Sequence, residues 1–345
     1  MNAFEPDFAT SAGAVDMTHG SGGRAMARLI RDLFHKHLGN PHLAAGNDGA
    51  VLTLPPGRVV VSTDGHVISP LFFPGGDIGC LAVHGTVNDV AMMGAKPLYL
   101  TAGFILEEGL PLADLERIIR SMAVASREAG VAIATGDTKV VEKGKGDGVF
   151  ITTTGVGVVA DGIELSGDRA RPGDKVLVSG TLGDHGVAIL SKRQNLEFET
   201  EICSDTTALH ELVAAMLAAV PGIRVLRDPT RGGLAATLNE IAQQSQAGVI
   251  LDERAIPIRP DVAAACELLG LDPLYVANEG KLIAICAAQD AERLLDVMRS
   301  HPHGKNAAIV GEVVEDKHAM IQMRTKFGGA RVVDWIAGEQ LPRIC

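Results

Sequence analysis

The sequence alternates strand-like and helix-like segments in both of its halves, and this limits the chain to folds that combine sheets and helices. In the first half, Arg58 to Gly65 (RVVVSTDG) predicts a buried strand that ends in an acid. A polar stretch from Leu165 to Asp174 then interrupts the pattern, and KVLVSG restarts it as a new strand. Further on, the spacing predicts helices at Asp205 to Val220 and Thr230 to Ser245. We therefore predict two α/β domains, residues 1–165 and 170–325, and an extended, mobile tail over residues 326–345.

Charge and composition exclude several classes of protein. The chain has 31 Lys and Arg against 42 Asp and Glu, a formal net charge of −11, whereas nucleic-acid binding needs clustered positive charge. No apolar run reaches the length of about 18 residues that a membrane span needs, and residues 1–20 contain acids and lack the apolar core of a signal peptide. The five cysteines are widely spread and form no CxxC pair. We expect a cytoplasmic protein with reduced thiols, which binds neither nucleic acid nor membrane.

A set of aspartates lies in or beside Gly-rich turns, and several follow Val- and Ile-rich segments. A single aspartate of this kind is commonly a turn former, but several after strands indicate carboxylates gathered at strand ends. Such hard oxygen ligands suit Mg²⁺ bound together with nucleotide phosphates. The predicted metal ligands are Asp48, Asp64, Asp89, Asp137 and Asp228.

Other groups suited to a nucleotide accompany these acids. The segment HGSGG, at 19–23, precedes a predicted helix from Arg24 to Leu38 and offers bare backbone amides to an anion. Hydroxyl and amide side chains next to the aspartates suit phosphate or metal-bound water. The expected cofactor contacts are Gly22, Gly23, Thr63, Asn88, Gly136, Asp137, Thr138, Thr230, Arg231 and Gly232.

Three further residues are candidates for chemistry. Lys139 directly follows GDT, and Glu279 lies in YVANEGK; a lysine stabilises charge that develops on phosphate, and a carboxylate takes protons. An ordinary salt bridge or turn explains either residue equally well from local sequence. Cys345 follows PRI at the end of the chain, where a mobile tail could carry it into another site and Arg343 would favour its thiolate. Burial of Cys345 within a folded domain would argue against that role.

Longer motifs resemble those of a known family. They include NDGAVL, VSTDGHVISPLFFPGGDIGCLAVHGTVNDVAMMGAKPLYL, GDTKVV, SGTLGDHGVAI, DPTRGGLAATLNEIA, ACELLGLDPLYVANEGKL and GEQLPRIC. From about MTHGSGG to its last residue, the chain resembles the HypE carbamoyl dehydratases of [NiFe]-hydrogenase maturation, within the PurM-like superfamily. DPTRGG and the aspartates belong to the whole superfamily, whereas GDIG, NEGK and the final PRIC are more specific.

The resemblance implies a PurM-like fold with two α/β domains, mixed sheets flanked by helices, and a homodimer whose N-terminal sheets form a barrel. It implies ATP between the domains, with Mg²⁺ held foremost by Asp64, Asp89 and Asp228. The terminal cysteine would receive a carbamoyl group from the carbamoyltransferase HypF. ATP-dependent dehydration would then give an S-cyanide for the iron on a HypC–HypD complex. Lys139 and Glu279 would supply a cation and a base, in an order that the sequence leaves open.

Three other functions are compatible with parts of the pattern. A purine-pathway synthetase would share the fold but has no use for a terminal cysteine. A selenophosphate synthetase is expected to carry its reactive Cys or selenocysteine near the N-terminus, and this chain has no cysteine before Cys80. A thiol carrier that binds ATP only structurally would not turn ATP over when Cys345 is carbamoylated.

Overall fold

A computed structural model describes residues 13–196, 201–335 and 343–345. The strands are β1 (Arg58–His66), β2 (Phe72–Phe73), β3 (Gly76–Asp77), β4 (Ala95–Glu107), β5 (Ala132–Val141), β6 (Val149–Val159), β7 (Lys175–Val178), β8 (Val225–Arg227), β9 (Gly248–Asp252), β10 (Ile283–Cys286), β11 (Ala308–Val314), β12 (Ile321–Arg324) and β13 (Ala330–Val332). The helices are α1 (Arg24–Leu29), α2 (Lys36–Leu38), α3 (Pro41–Ala44), α4 (Ile78–Met92), α5 (Leu112–Glu128), α6 (Asp184–Arg193), α7 (His210–Ala219), α8 (Gly233–Ser245), α9 (Pro260–Leu269) and α10 (Ala288–Ser300). None of the helices within these ranges is long and apolar enough to cross a bilayer.

The first sheet has the strand order β1-β6-β4-β5, and only the β4–β5 pair is parallel. One face packs against α4 and α5, where Leu100, Ile118 and Ile151 are fully buried. The capping side chain of Asp77 accepts from the backbone N–H of Gly79 and Cys80, and this fixes where α4 begins.

The other face of the first sheet carries exposed apolar side chains, so the prediction that β1 is a buried strand is wrong. Val59 and Val61 of β1 are 53% and 64% exposed, and Ile105 of β4 is 42% exposed. A strand places alternate residues on opposite faces, and here only one face has helices to cover it. Two consecutive valines (Val60 and Val61) therefore point to different environments.

The second sheet has the order β13-β12-β9-β11-β7-β10-β8 and carries helices on both faces. Along β7, Val176 and Val178 belong to the core on the α8 side, whereas Leu177 packs with the residues of α7 and α10. Because this sheet is covered on both sides, its strands are apolar without alternation, as the run KVLV suggests.

Two predicted helices begin later than the sequence suggested. The helix predicted from Asp205 begins at His210, because the Asp205 carboxylate is occupied by the backbone N–H of Glu279 and by Lys281. The helix predicted from Thr230 begins at Gly233, because Gly232 has a φ of +76° and cannot continue a right-handed helix. A Cβ at Gly233 would also lie 2.6 Å from the carbonyl oxygens of Leu274 and Val276.

Part of the predicted tail belongs to the second sheet. Ala330–Val332 pair with β12, and the fully buried Val333 accepts a hydrogen bond from the Asn239 amide through its carbonyl oxygen. Residues 336–342 lie outside the described residues. The last three residues pack against the rest of the chain at the site described below.

Candidate active site

Three of the predicted acids meet where β1, α4 and the residue after β8 come together. Asp64 lies on β1, Asp89 on the face of α4 that packs against β1, and Asp228 directly after β8. The Ser62 hydroxyl donates to Asp89 Oδ2 at 2.8 Å and orients that carboxylate. Only Asp228 directly follows a strand, so the expectation that these acids mark strand ends is wrong for Asp64 and Asp89.

Within this acid cluster (Asp64, Asp89 and Asp228), the neighbouring carboxylates destabilise the charged forms of Asp89 and Asp228. Burial and the charges of Asp89 and Asp64 raise the pKa of Asp228 to about 7. Burial raises the pKa of Asp89 as well, and the charge of Asp64 adds to the effect. Arg227 and Arg231 offset the pKa shift of Asp89 only in part, and negative charge gathered in this way is the environment that a divalent cation relieves. No group of three or more His, Cys, Asp or Glu side chains is arranged as a complete metal site within the described ranges.

Glu279 is a buried carboxylate beside the acid cluster. It is 4% exposed, and its Oε1 has no hydrogen-bond partner among the residues that the structure describes. Burial raises its pKa well above the usual value, and the charges of Asp228 and Asp205 raise it further. Asp205 holds the Glu279 backbone N–H at 3.0 Å and is itself paired with Lys281 at 3.0 Å. The main chain of Glu279 is therefore fixed while one carboxylate oxygen remains available to a substrate proton.

Asn88 links the two domains and is not available to a cofactor. From the middle of α4 its amide nitrogen donates to the carbonyl oxygens of Thr207 and Glu279 at 2.9 and 3.2 Å. Its amide oxygen accepts from the Leu209 N–H at 2.7 Å. Asn88 is 1% exposed, so its polar atoms serve to hold the second domain against the first.

Cys345 lies against this cluster. Its thiol is partly buried, and burial together with the charge of Glu279 raises its pKa, while Arg231 lowers it in part. Arg343 does not favour the thiolate as the sequence suggested, because its guanidinium pairs with Asp147 at 3.0 Å. Cys345 is therefore partly buried next to the acid cluster, where the charge of Glu279 acts on its thiol.

The GDT segment occupies the opposite edge of the first sheet. Lys139 Nζ pairs with Asp137 Oδ2 at 2.7 Å, and both side chains are about two-thirds exposed. The register runs from Asp64 through Thr153 and Ala102 to Gly136, so three strand spacings of about 4.8 Å, roughly 14 Å, separate the edges. Lys139 and Asp137 therefore lie apart from the acid cluster within one chain.

A cavity of about 110 Å³ adjoins the GDT segment. Met26, Ile30, Phe34 and Phe104 form its apolar walls, and Gly136, Asp137 and Thr138 complete its lining. A Cβ at Gly136 would lie 2.4 Å from the Ala102 carbonyl oxygen, so only glycine permits this path of the backbone.

The remaining predicted contacts are spread over the surface. Gly22 and Gly23 are exposed just before α1, and Asp48 is exposed in a bend. Thr63 is on the outer face of β1, where its hydroxyl lies 2.9 Å from that of Thr154. Thr230, Arg231 and Gly232 form the turn before α8, and the charge of Arg231 acts on Asp89 and Cys345.

Sequence reasoning missed His66. Its buried ring lies on the same face of β1 as Asp64, with Nε2 3.7 Å from Asp64 Oδ2 and 3.2 Å from the Thr153 hydroxyl. Burial lowers its pKa and keeps the ring neutral. Two-residue alternation along STDGH would have placed His66 beside Asp64. For Asp205, a single acid in an irregular segment, the sequence holds no comparable signal.

Comparison with known proteins explains the arrangement. The models of AIR synthase related proteins match this chain, with the N-terminal domain at residues 46–159 and the C-terminal domain at 171–324. The carbamoyl dehydratase HypE of Azotobacter vinelandii is 71% identical over 333 residues, which are 96% of this chain and 98% of the relative. This chain belongs to the HypE family. The predicted two-domain PurM-like architecture is thereby confirmed.

Two solved HypE structures match closely. A hydrogenase maturation protein HypE in complex with ATP has a TM-score of 0.92 and 54% identity, covering 95% of this chain and 99% of that chain. A HypE–HypF complex has a TM-score of 0.79 and 48% identity, covering 89% of this chain and 99% of that chain.

Proposed function

We propose that this protein is an ATP-dependent carbamoyl dehydratase of hydrogenase maturation whose substrate is an S-carboxamide on its own Cys345. The observation that carries the proposal is the position of Cys345, whose thiol lies within the electrostatic influence of Glu279, Asp64 and Asp228. The HypE solved with ATP supports the choice of nucleotide. The product is the S-cyanide from which the iron of a [NiFe]-hydrogenase receives its cyanide ligand.

The chemistry requires two proton transfers and one phosphoryl transfer. The carboxamide oxygen attacks the γ-phosphorus of ATP, ADP leaves, and the nitrogen gives up one proton, which produces an S-linked imidate phosphate. Loss of the second nitrogen proton then breaks the C–O bond, releases phosphate and leaves the nitrile on sulfur. Phosphorylation is needed because the oxygen of a carboxamide is a poor leaving group.

Glu279 is the residue we assign as the base. Burial raises its pKa, which makes the ionised carboxylate a stronger base. Its Oε1, which has no hydrogen-bond partner among the described residues, lies among groups that act on the Cys345 thiol. Lys139 is paired with Asp137 at the other edge of the sheet, where a cation would serve nucleotide phosphates instead. The apolar cavity next to Gly136, Asp137 and Thr138 has walls suited to a purine ring.

The acid cluster fits Mg²⁺. Asp64, Asp89 and Asp228 supply only hard oxygen donors, and their mutual repulsion, seen in the raised pKa of Asp228, is what a divalent cation would remove. Bound there, Mg²⁺ would neutralise phosphate oxygens during transfer. Asp48 and Asp137 lie away from this cluster and are weaker candidates for ligands.

The partners follow from the same family. A HypE solved with HypF supports a carbamoyltransferase of that kind as the donor of the carbamoyl group, and a HypC–HypD complex is the proposed acceptor of the cyanide. The apolar outer face of the first sheet, with Val59, Val61 and Ile105, supports a homodimer in which a second copy covers it.

The test is the intact mass of the protein after incubation with the carbamoyltransferase, carbamoyl phosphate and ATP. We expect the C-terminal peptide to gain a carbamoyl group and then to lose one water. Cys345→Ala should abolish both changes and the ATP hydrolysis that depends on them, whereas Cys203→Ala, which removes another partly exposed thiol, should not. Full carbamoyl-dependent ATP hydrolysis by Cys345→Ala would refute the proposal.

A further inference from the structure

The C-terminal tripeptide, residues 343–345, is held by its main chain. Ile344 forms an isolated antiparallel bridge with Ile68, in which the Val67 N–H donates to the carbonyl oxygen of Cys345 at 3.0 Å. The Ser69 N–H donates to the carbonyl oxygen of Arg343 at 3.3 Å. Ile344 is 3% exposed and anchors the tripeptide in the core of the first domain. The thiol of Cys345 forms none of these hydrogen bonds, and its side chain packs, partly buried, against the core of the first domain.

Helix α6 of the second domain supplies further contacts. Arg193 donates to the carbonyl oxygens of Ser69 and Arg343 at 2.8 and 2.7 Å. The carbonyl of Ile344 cannot join the bridge to Ile68, because alternate carbonyls of an extended chain point in opposite directions. It faces α6 instead, where His185 Nε2 lies 2.7 Å from its oxygen.

The surroundings of His185 determine which ring nitrogen carries the proton. The ring is completely buried, and burial lowers its pKa, so it is neutral and has one donor and one acceptor nitrogen. A carbonyl oxygen can only accept, so Nε2 carries the hydrogen, and Nδ1 accepts from the Ser204 hydroxyl at 2.7 Å. The Ser204 hydroxyl oxygen in turn accepts from the Thr206 N–H at 3.1 Å. Phe73 packs edge-on against the imidazole, with ring centroids 5.7 Å apart.

We propose that His185 is a positioning residue that fixes the C-terminal tripeptide through the Ile344 carbonyl and so sets where the Cys345 thiol lies relative to Glu279. Ser204 is its partner in this role, because its hydroxyl donates to Nδ1 and so holds the ring in the orientation that presents Nε2 to the tripeptide. The catalytic meaning of this position rests on the proposed function, whereas the docking itself does not.

The test is the rate at which iodoacetamide alkylates Cys345 in the full-length protein, followed on the C-terminal peptide by mass spectrometry. A docked thiol reacts only when the tripeptide opens, so the rate reports the open fraction. His185→Leu replaces the imidazole with an apolar side chain of similar length and leaves the Ile344 carbonyl unpaired. We expect Cys345 in this variant to be alkylated about tenfold faster than in the wild type. His185→Gln places an amide N–H near the former Nε2 position and should restore most of the protection.

Two further variants make the result decisive. Ser204→Ala leaves His185 in place but removes the hydroxyl that holds its ring in orientation, so it should speed alkylation by a smaller factor. Ser191→Ala is the matched control, because Ser191 is buried on the same helix and its hydroxyl donates to the Val187 carbonyl oxygen of that helix. It should react at the wild-type rate.

The inference is overturned if His185→Leu, folded as judged by circular dichroism, reacts no faster than Ser191→Ala. It is also overturned if His185→Gln reacts as fast as His185→Leu, since any loss of packing would then explain the effect. If His185→Leu does not fold, Ser204→Ala decides alone, and a wild-type rate overturns the inference. No ATP or carbamoyl donor enters this assay, so failure of the dehydratase proposal, read from the intact mass, is a separate outcome.

Discussion

Asp228→Asn should stabilise the protein while removing its ability to bind a metal–nucleotide complex. The pKa of Asp228 lies at about 7 in the folded chain, against an ordinary value of 3.8. Because its pKa is raised on folding, the folded state holds the proton more tightly than the unfolded state. Stability is therefore lost as pH rises from about 4 to about 7.

The size of this effect follows from the difference between the two pKa values. Each pKa unit corresponds to about 1.36 kcal/mol, so charging Asp228 costs up to about 4 kcal/mol of unfolding free energy above neutral pH. Asn has nearly the same shape and no charge to desolvate. The substitution also removes the charge of Asp228, which contributes to the raised pKa of Glu279. We therefore expect Asp228→Asn to be about 2 to 4 kcal/mol more stable than the wild type at about pH 8, and equal to it at about pH 4.

Urea unfolding at a series of pH values, without nucleotide or metal, measures the difference. Asp168→Asn, a change at an exposed surface aspartate, serves as the control and should follow the wild type at every pH. Added Mg²⁺ and ATP should raise the midpoint of the wild type by mass action and leave that of Asp228→Asn unchanged. The reasoning fails if the wild type and Asp228→Asn lose the same stability between about pH 4 and about pH 8.

Three other outcomes follow from the site. Glu279→Gln should slow water loss from carbamoylated protein by about 10² to 10⁴ with carbamoylation itself unchanged, seen as accumulation of the carbamoylated C-terminal peptide; an unchanged rate would remove Glu279 as the base. Val61→Glu should lower the mass measured by light scattering to that of a single chain, whereas Val51→Glu, at a 94% exposed residue outside the sheet, should not; a dimer that survives Val61→Glu would place the interface elsewhere. Arg343→Ala should leave the pH dependence of Cys345 alkylation unmoved, since Arg343 pairs with Asp147, and a shift of that profile would restore Arg343 to the thiolate.

Sequence patterns predicted the elements well where packing and local signals agreed. Helix α4 has a capping aspartate at one end and Gly94 at the other, and α8 and α10 were placed within a few residues. The exposed face of β1 could not be predicted, because Val and Ile residues indicate a covered strand face but do not show whether a helix of the same chain or a second chain covers it. Ala330–Val332 read as tail because a short edge strand has too few residues to show a period.

The sequence named three acids that the structure brings together, but it did not give the geometry around them. Asp64, Asp89 and Asp228 were named from their neighbours, yet the sequence could not show that Asp137 and Lys139 pair with each other about 14 Å away. Asn88 was expected to contact a cofactor, but tertiary hydrogen bonds use both of its amide hydrogens and its amide oxygen accepts a third. His185 and Asp205 owe their roles to contacts distant in sequence, which local patterns do not record.

The three hydrogen bonds of Asn88 also restrict how the enzyme can open. Asn88 precedes Asp89 on α4, and its buried amide donates to the carbonyl oxygen of Glu279. This single side chain therefore connects Asp89 of the first domain to Glu279 of the second. Swinging the domains apart as a hinge would break all three hydrogen bonds, at a net cost of about 0.5–1.5 kcal/mol for each. We therefore expect the two domains to stay together while the nucleotide enters and the product leaves. The segments that move should be ones that Asn88 does not hold.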